Sequence, residues 1–231
     1  MKMKLLCSTL ALCLAGVHSQ ALSAASLNPT HYDMPNGDGN ANQGTYNYWD
    51  ATYSGSGAKT TDSAPLTGGL GVLTDGYASP DAWYKVSNLQ GTGPYVGWEW
   101  RNNGDPTIAF TFATPVRVNT VSLAVDASEI GGVYAPVALT IDGATYTPTV
   151  TAISSTSEWL TVSGLSLVGA TLTITPDHDP SDGSNWTFVS EAQFTGGAVP
   201  EPTTWAMMIV GFSGVVYARY RASRKRVAVA L

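Results

Sequence analysis

Cysteine is scarce in this 231-residue chain: there are two, Cys7 and Cys13, and both lie in the first apolar stretch. Once that stretch is removed no thiol remains, which excludes disulfides, zinc–thiolate sites and a catalytic cysteine. Charge is scarce too, with Asp, Glu, Lys and Arg making 12% of the chain. Basic residues are the rarest. Between residues 24 and 199 only Lys59, Lys85, Arg101 and Arg117 stand against sixteen acidic residues, a net of −12 inside a whole-chain net of −6. Such a surface repels phosphate backbones and anionic lipid heads, so it excludes a nucleic-acid binder, and it is compatible with cations. Of three histidines, His18 belongs to the leader; His31 and His178 remain, without His-Glu-x-x-His or Ser-His-Asp spacing. No helical period lasts beyond two turns before Pro202, and no repeat of fixed period is present. A coiled coil and a helical bundle are excluded.

What is abundant is turn chemistry, with 24 Gly and 13 Pro. Loops dominate the first half, at Asn36-Gly37-Asp38-Gly39-Asn40, Ser54-Gly55-Ser56-Gly57 and Gly68-Gly69-Leu70-Gly71. Strand alternation begins near Thr107. Ile108, Phe110 and Phe112 point one way, and a turn is expected at Ala113 to Pro115. Val116 and Val118, then Val121, Leu123 and Val125, alternate with polar residues, and the change of phase near Asn119 predicts a bulge. Val137, Leu139 and Ile141 lead to Asp142-Gly143, a two-residue hairpin signal, with Thr145 to Val150 returning. Leu172 and Ile174 mark a further strand, and Trp186, Phe188, Ala192 and Phe194 are expected on one face of the last. About eight closely spaced strands predict an all-β, antiparallel β-sandwich or jelly roll over residues 26–197.

Both ends read differently. Lys2 and Lys4, an apolar run from Leu5 to Val17 and small residues from Ala21 to Ser26 form the pattern of a signal peptide, residues 1–25. Cleavage after Ser23 or after Ala25 fits equally. Leu12, before Cys13, is bulky where a lipoprotein signal needs a small residue. His31 then falls in a mobile N-terminal segment. At the other end Thr203 to Ala218 carries no charge, has Trp205 and Tyr217 near its limits and precedes a basic tail, residues 219–226. That pattern predicts a transmembrane helix over 203–218 with its tail in the cytoplasm, at the short end of the ~17–25 residues a span needs.

The segment 198–231 is similar to a known sorting signal. Pro200-Glu201-Pro202, two small residues, then Trp205-Ala206-Met207-Met208, a short helix with Gly211 and Gly214, and Arg219, Arg221, Arg224, Lys225 and Arg226 resemble the PEP-CTERM signal, motif 200–208. The resemblance implies a Gram-negative bacterial protein exported through the Sec translocon and held transiently in the inner membrane. An exosortase then cuts it near the Pro-Glu-Pro motif, leaving the body at the cell surface or outside, among exopolysaccharide. Val227 to Leu231 trail beyond the usual basic end.

The body carries a second likeness. Leu73-Thr74-Asp75-Gly76, Tyr95-Val96-Gly97-Trp98, Thr107 to Phe112, Pro115 to Leu123 and Trp186 to Phe194 resemble the galactose-binding-like, discoidin-type jelly roll. Three Gly-containing acidic loops offer the oxygen donors that calcium takes: Asn36 to Asn40, Leu73 to Gly76, and Asp177 to Gly183. The resemblance selects Asp75 and Glu191 for a structural calcium ion. Trp100-Arg101-Asn102 supplies the ring, cation and amide that sugar binding uses, whereas Trp98, so near an alternating strand, is expected in the core. These features point to a non-catalytic, carbohydrate-binding-like module that meets exopolysaccharide or a cell-surface glycan. A polysaccharide-active enzyme and a purely structural surface protein remain as alternatives.

Overall fold

The alternating segments form strands, and these are longer and more bent than the pattern predicts. The computed structural model of the chain describes residues 25–39, 46–181, 183, 185–199 and 202–227, with side chains of the terminal helix described over 206–219. Among the described residues ten strands occur: β1 (Ala25–Leu27), β2 (His31–Pro35), β3 (Pro65–Gly69), β4 (Val96–Glu99), β5 (Ile108–Asp126), β6 (Ala138–Ile141), β7 (Ala144–Tyr146), β8 (Thr149–Ala152), β9 (Ser157–Asp177) and β10 (Trp186–Ala198). Three α-helices accompany them there, α1 (Trp83–Val86), α2 (Trp100–Asn103) and α3 (Pro202–Val227). The strands run in the order β1-β10-β5-β9-β6-β7; β2 lies between β3 and β5, β4 pairs with β10 and β8 with β9. All these pairings are antiparallel.

Two long strands turn this ladder into two layers. The first half of β5 lies between β2 and the end of β9, and its second half between β10 and the start of β9. Phe110, in the first half, packs 4.8 Å from Phe194 of β10, yet β10 pairs Phe194 with Val121 in the second half. The halves therefore face each other across the core. Tyr32, Trp98, Phe110, Leu123 and Phe194 are all buried there; each large apolar side chain so placed contributes ~1.5–3 kcal/mol from water exclusion alone. The fold is an all-β antiparallel sandwich.

The bends correct several expectations. No chain reversal occurs at Ala113 to Pro115: β5 continues, and its pairing with β9 jumps from Thr111↔Thr171 to Val116↔Gly169. The extra residues on one strand bend it, as bulges do. The predicted bulge at Asn119 is present, since the adjacent Thr195 and Gly196 of β10 pair with Thr120 and Val118 and leave Asn119 as the extra residue. Leu172 and Ile174 lie in the last part of a strand that starts at Ser157 and ends at Asp177. The hairpin at Asp142-Gly143 forms with φ of 46° and 80°, the left-handed pair that a tight two-residue turn requires. His31 pairs with Thr111 within β2, so it is not part of a mobile segment. On β10 the register shifts between Val189 and Glu191. Ser190 is the additional residue, and it reverses the alternation. Phe188 therefore packs in a separate aromatic cluster while Ala192 and Phe194 enter the main core, and the four residues expected on one face divide between two.

The C-terminal segment is a helix, but it runs from Pro202 to Val227 rather than 203–218. Among the described residues no helix is long and apolar enough to cross a membrane, so the expected transmembrane span is not carried by the structure. Ala206, Met207, Met208 and Arg219 are exposed on it. Residues 1–24, Pro200 and Glu201, and the side chains of Pro202, Trp205, Arg221, Arg224, Lys225 and Arg226 lie outside the described residues.

Candidate functional site

The bulge at Ser190 aims Glu191 away from the core and toward the loop before α1. There the Gly76 N–H donates to Glu191 Oε2 at 3.0 Å, and the Ser79 N–H donates to Ser190 Oγ at 3.2 Å. Asp75 precedes Gly76, so both acids selected from the sequence line one cleft of about 480 Å³, together with Asn28, Thr74 and Gln193. Glu191 is only 4% exposed. Burial, then the like charge of Asp75, pushes its carboxyl up to about 7 against the bond from Gly76. Burial also raises Asp75. Asp50, fully buried and bonded to Tyr32 Oη and Thr52 Oγ1, is raised by burial and, least of its causes, by the charge of Asp75. Among the described residues no group of three or more His, Cys, Asp or Glu side chains is placed to hold a metal ion. A calcium ion here would take two carboxylates and find its remaining oxygens in main chain and water. Buried Glu191 and exposed Asp75 thus line one cleft whose walls carry no basic side chain.

The other two acidic loops are occupied by internal bonds. Asn36 Oδ1 accepts from the N–H groups of Gly37 and Asp50, both at 2.9 Å. Asp38 accepts from Ser63 Oγ at 2.8 Å, Asn103 Nδ2 at 3.1 Å and the Glu99 N–H at 2.6 Å. Those contacts moor the N-terminal loop to β4 and α2. Asn40 and Asp182 lie outside the described residues; Asp177 accepts from Thr140 Oγ1 at 2.7 Å.

Trp100, Arg101 and Asn102 share α2. One face of Trp100 is taken by His178, whose ring stacks at 3.5 Å and 15°. His178 Nδ1 bonds Asp105 at 2.8 Å, and the Arg101 guanidinium lies 5.5 Å from the Trp100 ring centre. Asn102 Nδ2 donates to Glu99 Oε2. The ring is thus a packing partner on at least one side rather than an open platform, while Arg101 and Asn102 are exposed. Trp98 is buried, as expected.

Beside α2 lies a site that the sequence did not single out. The Trp100 N–H donates to the carbonyl of Asn185 at 3.1 Å, and the Asn185 N–H to that of Gly132 at 2.8 Å. These bonds bring the start of β10 against the turn Ile130–Gly132, and a cleft of about 420 Å³ opens between them. Tyr48, Trp83, Val133 and Phe188 form its buried floor, and Tyr46, Tyr84, Ile130 and Trp186 its rim. Trp83 stacks on Phe188 at 5.8 Å and 26°, while Tyr46 and Tyr84 stand edge-on to Trp83 at 87° and 86°. Trp83 is anchored twice: its N–H donates to Asp126 Oδ2 at 2.6 Å and its Nε1 to the Ile130 carbonyl at 3.1 Å. Gly131 adopts φ of 69°, and a Cβ there would come within 2.9 Å of Trp83. Only the richness of the first half in Trp and Tyr hinted at this cleft.

An antiparallel β-sandwich with an aromatic cleft among its loops is the class that fold and site define. Within it, residues 30–127, less than half of the chain, match the family described as the discoidin domain-containing receptor 1/2, DS-like domain. This is the kind of domain that the sequence resembles. Solved structures give distant likenesses. The C-terminal domain of a chitobiase from Bacteroides fragilis is 10% identical, over 76% of this chain and 100% of that one, with a TM-score of 0.40. A fucolectin from striped bass (Morone saxatilis) serum is 11% identical over 75% and 73%, at 0.36. A family 32 carbohydrate-binding module from C. perfringens NanJ, in complex with galactose, is 10% identical over 54% and 82%, at 0.32. No curated protein matches the chain by sequence.

Proposed function

We propose that the body is a non-catalytic carbohydrate-binding module of an exported surface protein. The observation that carries this reading is the cleft walled by Tyr46, Tyr84 and Trp186 over the floor of Trp83 and Phe188. Aromatic faces pack against the C–H faces of sugar rings, and a concave, mostly apolar seat with few polar groups is the usual form of a small-ligand site. Arg101 and Asn102 are exposed on α2, whose Trp100 N–H bonds the carbonyl of Asn185 next to Trp186, and would add hydrogen bonds to the glycan. Asp75 and Glu191 hold a calcium ion that ties the loop before α1 to β10. A glycan array probed with the chain in calcium and in chelator tests both parts. Binding to exopolysaccharide or cell-surface glycans is expected, and calcium should raise the melting midpoint of the wild type but not of Asp75→Ala or Glu191→Ala. A blank array, or a midpoint indifferent to chelator, removes the corresponding part.

Export completes the reading. The precursor passes the Sec translocon, rests transiently in the inner membrane, and an exosortase cuts it near Pro200 to Pro202. The intact mass of the surface or secreted form should lack residues 1–23 or 1–25 and the tail from about Pro200; a mature form retaining Arg224 to Arg226 contradicts this. The Asp75–Glu191 pair also supports a second reading, a polysaccharide-cleaving enzyme, because a carboxyl titrating near 7 is suited to general acid work. Release of reducing ends that Glu191→Gln abolishes would favour it.

A further inference from the structure

We propose that the outer edge of β8 is a self-association seam, pairing antiparallel with β8 of a second copy of this chain. β8 is exposed at all four positions, Thr149 to Ala152, and among the described residues it pairs with β9 alone. Alternate residues therefore turn their N–H and C=O groups away from β9, toward a side on which no described strand pairs with them. Other edges are closed. The Asp38 N–H donates to the Gly97 carbonyl of β4, and the Gly97 N–H to the Tyr48 carbonyl, so a loop covers that strand. β3 opens on Pro65, and Ser56 bridges to its Thr67. β8 has neither device. From Gly143 to Ser157 the chain carries no charge, and Thr149, Val150 and Thr151 are β-branched residues that suit a ladder.

The occupant follows from the core and from charge. Register sets Val150 beside Leu160 of β9, and Leu160 beside Leu123 of β5. Directly opposed side chains share a face of the sheet. Leu123 and Leu160 are wholly buried, whereas Val150, next in the same row, is 54% exposed. The apolar row of the core thus runs out at an uncovered edge. A two-fold axis at Val150 sets that side chain against its own copy, and Thr149 against Thr151 of the other copy, so one row continues through both molecules. Residues 24–199 carry a net of −12. Two such bodies repel each other, and an edge without charge is where they can approach. A four-residue pairing is small beside the ~1,200 Å² of a stable interface, so the association is weak and concentration-dependent. It stands independently of the glycan-binding reading.

Sedimentation equilibrium of the full chain over a hundredfold range of concentration tests this, with melting midpoints as the folding control. A monomer–dimer equilibrium is expected, and salt should strengthen it by screening the repulsion between two acidic bodies. Val150→Lys should weaken association tenfold or more, while Val150→Leu should leave it within twofold. A chain with Cys7→Ser, Cys13→Ser and Val150→Cys should form a disulfide-linked dimer under mild oxidation, because opposed Cβ atoms come within reach. With Val168→Cys instead, equally exposed at 54% but outside the pairing with β8, dimer should form at least tenfold more slowly. A chain that stays monomeric up to millimolar concentration overturns the proposal, and so does association that salt weakens. Association indifferent to Val150→Lys, as contact through the exposed apolar side chains of α3 would be, overturns β8 as the seam.

Discussion

Trp98→Ala is expected to destabilise the domain by about 4 kcal/mol, measured by urea unfolding followed by circular dichroism. Trp98 is 2% exposed, at the centre of β4 opposite Thr187 of β10. Its ring belongs to the main core, and its Nε1 donates to the Pro35 carbonyl at 2.8 Å, tying β4 to the end of β2. Truncation removes the largest fully buried side chain, leaves a cavity between layers and strips that carbonyl of its donor. Domains of this kind have only ~5–15 kcal/mol in reserve, so the variant should unfold well below the wild-type midpoint. Trp98→Phe keeps most of the volume and loses the bond, so it should cost about 1–2 kcal/mol. A loss under 1 kcal/mol for the alanine variant would contradict this account of the core.

The second large effect is in pH. Without divalent cations the domain should be more stable near pH 5 than near pH 8. A carboxyl that titrates at about 7 when folded, against 4.5 as an ordinary glutamate, holds its proton more tightly in the folded state. Its contribution is complete below about pH 4.5 and is lost as the pH rises through about 7. For Glu191 that gap corresponds to about 3 kcal/mol. Burial shifts Asp50, Asp75, Asp126 and Glu158 in the same direction; among the described residues Asp179, bonded to Ser181, moves the other way. Glu191→Gln is neutral at every pH, so its stability should fall less between pH 5 and 8 than that of the wild type in chelator. Parallel curves for the two proteins would show that Glu191 is not the group responsible.

The residues differ in how openly their sequence announces their place. Period-2 alternation identified β5 and the β6–β7 hairpin, because in a sandwich one face of each strand is buried and the other wet. Asp142-Gly143 carries its own turn geometry, and the lost beat at Asn119 was visible as two valines out of phase. The bulge at Ser190 was not, since Thr187 to Ala192 are all buried and no polar–apolar contrast remains to show a reversal. Asp75 and Glu191 were picked through a family likeness, and the bulge is what turns Glu191 toward Gly76.

By itself, then, the sequence determined the antiparallel β class, the lack of cysteine in residues 26–197 and the acid excess of the body, all of which follow from composition and local period. Tertiary structure alone decided the sites. The aromatic cleft takes residues from four separate stretches, 46–48, 83–84, 130–133 and 186–188, and the acidic cleft joins 75–76 to 191 across 115 positions of sequence. Local propensity acts over a few residues, whereas such meetings depend on how bent strands stack and on which loops they leave adjacent. The same physics buries one tryptophan, Trp98, as packing and sets another, Trp186, on a rim.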